Sequence, residues 1–153
     1  MRKVLVMIAI CLSAMSAQAQ SMSEIEKPFY ETESDSIAEA RIASVADELG
    51  LRDKQAVRIS KLYAQQYEEL CRSLQMGIMR DRMKSNATSS ENAFDRISAK
   101  ESFDRICRKY PQRFAREMTA EQKEIWAGMD SIKLDNRFDE ILERVISNTE
   151  NYF

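Results

Sequence analysis

The stretch DKQAVRISKLYAQQYEELCRSLQMGIMRDRMK, residues 53–84, decides the fold class. Ala56, Ile59, Tyr63, Tyr67, Leu70, Leu74 and Ile78 follow one another at steps of three and four residues, which is nearly a heptad seam. That spacing predicts one long helix with an apolar stripe along its length. Upstream, Ile37, Ile42, Val45, Ala46 and Leu49 share one helical face, and Gly50 stands where a helix from Asp35 to Leu49 needs a left-handed residue to end. Downstream, the polar run Ser85-Asn86-Ala87-Thr88-Ser89-Ser90 is the natural loop. A third helix over residues 91–109 carries Phe94, Ile97, Phe103, Ile106 and Tyr110, most of them core candidates, until Pro111 ends or kinks it. Thr119-Ala120-Glu121-Gln122 then reads as a capping box, with Thr119 placed to accept from the Gln122 amide. It opens a fourth run bearing Ile125, Trp126, Met129, Ile132, Phe138, Ile141, Leu142 and Val145, bent over residues 134–137.

The reading is therefore all-α, about four helices around a long central antiparallel helical hairpin, either cradle-like or a bundle. Composition excludes the alternatives. Three glycines in the chain are too few for a phosphate-cradling loop or for a set of tight hairpins, which removes Rossmann, P-loop and all-β folds. The absence of histidine removes the commonest general base together with Ser-His, Cys-His and His-metal arrangements. Adjacent carboxylates such as Glu68-Glu69 and Asp139-Glu140 diverge around a helix and make a poor acid-base pair. No enzyme activity, catalytic residue, cofactor or metal site is expected.

The N-terminus reads as an export signal. Arg2 and Lys3 precede an apolar run from Val4 to Leu12, and Ala17-Gln18-Ala19 makes a small-x-small cleavage site, with the cut before Gln20. A membrane anchor needs roughly 20 apolar residues, more than this run offers. Cys11 suggests a lipoprotein, but Ile10 precedes it where a small residue is wanted. Residues 20–34, with Pro28 and several acids, read as a flexible arm, residues 35–147 as a single domain, and residues 148–153 as a tail. In an oxidising periplasm Cys71 and Cys107 become a possible disulfide, since they fall nearly level across the expected hairpin. Two buried free thiols are the alternative.

Two helix starts resemble each other. Leu51-Arg52-Asp53-Lys54-Gln55 and Met118-Thr119-Ala120-Glu121-Gln122 are similar to the LTxxQ element of the Spy/CpxP-like periplasmic chaperone family, with Arg52 in place of the first threonine and Met118 in place of the second leucine. The resemblance covers most of residues 35–146. It implies a small exported all-α protein that dimerises into a thin concave cradle and binds unfolded or partly folded envelope proteins without ATP. The competing reading is a helical interaction module or regulator that docks on an envelope sensor. Leu51, Gln55, Met118, Thr119 and Gln122 are the motif residues on this reading.

Charge and methionine suggest where a client would sit. Residues 71–116 hold 11 basic and 5 acidic residues, whereas residues 20–70 hold 6 and 11 and residues 117–153 hold 4 and 9. A basic centre between acidic flanks attracts acidic segments over about a Debye length, or else pairs with those flanks inside the fold or across a dimer. Met76, Met79 and Met83 recur near helical spacing beside Arg72, Arg80 and Arg82, with Arg105 and Arg108 across the expected hairpin. Flexible thioethers suit promiscuous apolar contact, although such a stripe is also ordinary core packing. These eight residues are the candidate client-binding set. Nucleic-acid binding and stable membrane insertion are not expected. Asp35-Ser36-Ile37 and Asp130-Ser131-Ile132 resemble short O-glycosylation signals, and Phe153 lacks the alternating strand of a barrel end.

Overall fold

The seam on residues 53–84 folds as expected. In the computed structural model, which describes residues 29–85 and 95–150, it forms α2 (Asp53–Ser85), and Ile59, Tyr63, Tyr67, Leu70, Leu74 and Ile78 are all buried along it. Around this spine stand α1 (Phe29–Leu49), α3 (Arg96–Cys107), α4 (Pro111–Arg116), α5 (Ala120–Gly128), a 3-10 turn (Leu134–Asn136) and α6 (Phe138–Glu150). Every regular element among the described residues is helical, so the all-α reading stands. No helix among them is long and apolar enough to cross a membrane. The signal sequence, Cys11, Phe94, most of the polar loop and Phe153 lie outside the described residues.

α1 begins at Phe29, six residues before the expected start, so residues 29–34 are helical rather than part of an arm. The cause is a stripe that continues upstream: Tyr30, Ser34 and Ala38 are buried at four-residue steps and lead into Ile42, Val45 and Leu49. Glu33 anchors this extension by accepting from Arg144 Nη1 of α6 at 2.9 Å, and the same nitrogen donates to the Tyr67 hydroxyl at 3.2 Å. The buried Ser34 disguised the stripe in the sequence. At the other end, Gly50 has φ 61°, its N–H donates to Asp47 O at 3.1 Å, and the Leu51 N–H donates to Ala46 O at 2.9 Å. This is a Schellman end. A Cβ on Gly50 meets nothing within 4 Å, so Gly50→Ala is expected to cost about 1 kcal/mol through backbone conformation alone, read as a lower urea midpoint.

α3 is shorter than expected because Asp95 caps it, accepting from the N–H groups of Ile97 at 3.0 Å and Ser98 at 3.3 Å. The Asp95 N–H donates to the Asp81 carboxylate at 3.2 Å, and near the other end Lys109 reaches Glu69, so α3 runs back along α2. Phe103, Ile106 and Tyr110 are core, but Ile97 is 75% exposed, which corrects its expected burial. The third helix already ends at Cys107, before Pro111, which instead occupies the first position of α4, where its missing N–H costs nothing.

The fourth run is interrupted rather than bent. α5 ends at Gly128, Met129 leaves helical geometry, and the chain passes through the 3-10 turn before α6. Tertiary bonds hold the break: the buried Tyr63 hydroxyl donates to Ile132 O at 2.6 Å, and Lys133 Nζ donates to Ala127 O, an orphan carbonyl at the end of α5, at 2.7 Å. α6 continues to Glu150, with Thr149 fully buried and bonded to Val145 O, so residues 148–150 belong to the helix and not to a tail. The described residues thus form six α-helices instead of about four.

Candidate protein-binding surface

Two places in this fold gather the residues that the sequence singles out. The first joins the two motif copies. Thr119 caps α5 by accepting from the Gln122 N–H at 3.3 Å, and Gln122 Oε1 accepts from the Thr119 N–H at 3.0 Å, completing the expected capping box. Gln55 makes the matching reach back to the Arg52 N–H at 3.3 Å, while Arg52 has no hydroxyl to return the bond. Each glutamine then crosses to the other copy. Gln55 Nε2 donates to Glu117 O at 2.7 Å, and Gln122 Nε2 donates to Gly50 O at 3.0 Å; these carbonyls belong to the residues just before Met118 and Leu51. The two amides also bond to each other, at 2.6 Å and 3.4 Å. Arg58 and Glu117 close the outer side at 2.5 Å. Met118 is buried and Leu51 partly so, each against the core. The five motif residues therefore act here as a brace between the starts of α2 and α5. Their pairing was invisible in the sequence, because the crossed bonds span 62 to 72 residues.

The second place is a groove between α2 and α3. Arg72, Ser73 and Met76 line one wall, and Arg105, Ile106 and Lys109 line the other. Met76 is 66% exposed and Met83 is 83% exposed. Arg72, Met76, Arg80 and Met83 follow at helical spacing and are all exposed, so they form one stripe of alternating cation and thioether. Met79 and Arg82 are half-buried on the adjacent row, and Arg108 is exposed outside the groove. Of the eight expected client-binding residues the groove thus unites Arg72, Met76 and Arg105. Lys109 was missed from that set, although it stands four residues after Arg105 and shares its face.

Part of the positive charge is internally paired. Arg72 meets Glu68 at 2.5 Å and Lys109 meets Glu69 at 2.6 Å, while Arg96 pairs with Asp139 of α6. Arg80, Lys84, Arg108 and Arg116 carry no ion pair among the described residues. Burial raises the Glu69 carboxyl, but hydrogen bonds from Lys109 and from the Tyr110 hydroxyl at 2.9 Å outweigh it and hold the carboxyl below its ordinary range. Glu69 is therefore anionic at neutral pH, and the contact it makes with Lys109 weakens only as pH falls below about 4.5.

Searches of protein-family models, of curated proteins and of solved structures returned no match to this chain.

Cys71 and Cys107 are free thiols and both are buried. They sit in one core cluster but face different surroundings: Tyr67, Arg144 and Glu33 lie around Cys71, and Asp135, Asp104 and Lys100 around Cys107. No bridge joins them in the structure, where both fit the alternative of two buried free thiols. Burial pushes each thiol up to about 12. Alkylation at pH 8 is expected to be negligible in the native protein and to track unfolding in a urea series, as followed by mass spectrometry. Rapid native labelling of either cysteine would contradict this placement.

Proposed function

We propose that this chain is an exported, ATP-independent chaperone-like protein that holds unfolded or partly folded envelope proteins in the periplasm. The observation that carries the reading is the exposed stripe Arg72-Met76-Arg80-Met83, with thioethers open to solvent and Arg80 in no ion pair among the described residues. Large apolar side chains held in water beside the Arg80 guanidinium suit weak contact with segments that are both apolar and acidic. The export signal in residues 1–19 and the two LTxxQ-like starts support the compartment and the Spy/CpxP-like assignment, and a homodimer goes with that assignment. On this reading the glutamine brace keeps α5 docked against the start of α2, and the stripe meets the client.

The test is suppression of aggregation. The protein is mixed at near-stoichiometric ratio with a chemically denatured, unrelated client, without ATP, at low and high salt. Suppression is expected, and Met76→Ser with Met83→Ser is expected to weaken it about tenfold, whereas Arg80→Glu acts mainly at low salt. No suppression at a large excess of protein would sink the reading and favour a module docking on one dedicated envelope partner.

A further inference from the structure

Between α2, α4, α5 and the 3-10 turn lies a cavity of about 320 Å³ that the proposed client surface does not touch. Its walls are apolar and largely aromatic: Tyr110, Phe114, Trp126, Met118 and Leu134 line it. The Phe114 and Trp126 rings lie 5.1 Å apart at 32°, and Tyr110 stands 6.2 Å from Phe114, so the wall is a row of tilted ring faces. The volume falls in the range of small-molecule sites, roughly 300–1,000 Å³.

Two polar groups that line the cavity have no side-chain partner among the described residues. Gln66 on α2 is only 4% exposed and lines the cavity, yet its side-chain amide makes no hydrogen bond among the described residues. Its amide atoms keep access to solvent and so present both a donor and an acceptor to the cavity. The neighbouring Tyr63 hydroxyl is already committed to Ile132 O. At the rim Lys123 is exposed and has no ion pair among the described residues, whereas Lys133 is held by Asp130 and Ala127 O. Asp135 also lines the site, so the two lysines outnumber one carboxylate.

We propose that this cavity binds a small aromatic carboxylate: its ring lies against Phe114 and Trp126, its carboxylate meets Lys123 at the rim, and a hydroxyl or carbonyl at its far end pairs with Gln66. A plain acyl chain fits less well, because its inner methylenes would leave the Gln66 amide buried and unpaired. Recognition by a buried amide also discriminates sharply against analogues that lack the matching polar group.

Trp126 is the only tryptophan of the chain and reports occupancy directly. The purified protein is titrated with para-hydroxyphenylpropionate, phenylpropionate and decanoate, followed by Trp126 fluorescence and by calorimetry. Saturable binding of the hydroxylated acid is expected, with phenylpropionate about tenfold weaker. Gln66→Leu should erase that difference while retaining helical circular dichroism, and Lys123→Ala should weaken both aromatic acids most at low salt. Ala115→Phe, placed on the half-buried wall of α4, should abolish binding even if Gln66→Leu fails to fold. No saturable signal up to millimolar acid overturns the proposal and leaves the cavity to water. Equal affinity for the three acids overturns it as well, as does binding that survives a folded Ala115→Phe.

Discussion

Replacing Phe103 by alanine is expected to remove about 4 kcal/mol of folding stability, a large part of the total that a domain of this size possesses. Phe103 is fully buried where α3 meets α6, with its ring edge-on to Phe138 at 5.2 Å and 74°. The Lys100 ammonium lies 5.3 Å from the Phe103 ring and 5.4 Å from that of Phe138, and the Arg96 guanidinium lies 5.6 Å from Phe138. Truncation leaves a void in a seam that cannot collapse easily, because Phe138 is fixed by the turn before it and Phe103 by the α2 spine. It also removes one of the two rings beneath the Lys100 ammonium. Urea denaturation followed by circular dichroism measures the loss, and Phe103→Leu should recover more than half of it. A midpoint for Phe103→Ala close to the wild-type value would show that α3 and α6 do not share a core.

The second large effect belongs to the glutamine brace. Gln122 is 8% exposed and holds three groups at once, namely the Thr119 N–H, the Gly50 carbonyl and the Gln55 amide. Gln122→Ala is expected to cost about 2 kcal/mol, from lost bonds and from partners left under-satisfied at the start of α5. Gln55→Ala should cost less, because Gln55 is less buried and its first-turn partner Arg52 is exposed. The two glutamines share bonds, so the double variant should be more stable than the sum of the single losses predicts, by about 1 kcal/mol. Additive losses in that cycle would mean that the two motif copies act independently, each as an ordinary helix start.

The brace shows where sequence reading stopped. The capping box at Thr119 and Gln122 was legible because both partners lie within one turn, and the Gly50 stop was legible because a left-handed helix end selects glycine. That Gln55 and Gln122 cross to each other's preceding carbonyl was not, since no local rule relates residues that far apart. The same limit explains the stripe: Met76, Met79 and Met83 follow at steps of three and four residues, yet Met79 turns partly inward while Met76 and Met83 stay in water. Ile97 was assigned to the core by its spacing from other apolar residues, and the Asp95 cap turns it outward.

By itself, the sequence determined the helical class, the long α2 spine, the helix end at Gly50 and the capped start at Thr119. These rest on periodicity and on bonds between residues within about one helical turn. The tertiary structure alone decided that α1 starts at Phe29, that the last run breaks after Gly128, and that Cys71 and Cys107 are buried as free thiols. It also decided that Gln66 lines an aromatic cavity with no hydrogen-bond partner among the described residues. Each of these depends on which distant group arrives: Arg144 at Glu33, Tyr63 at Ile132, Asp135 beside Cys107. Such meetings are products of packing, in which a chain buries one continuous surface and its polar groups take whatever partners that burial brings.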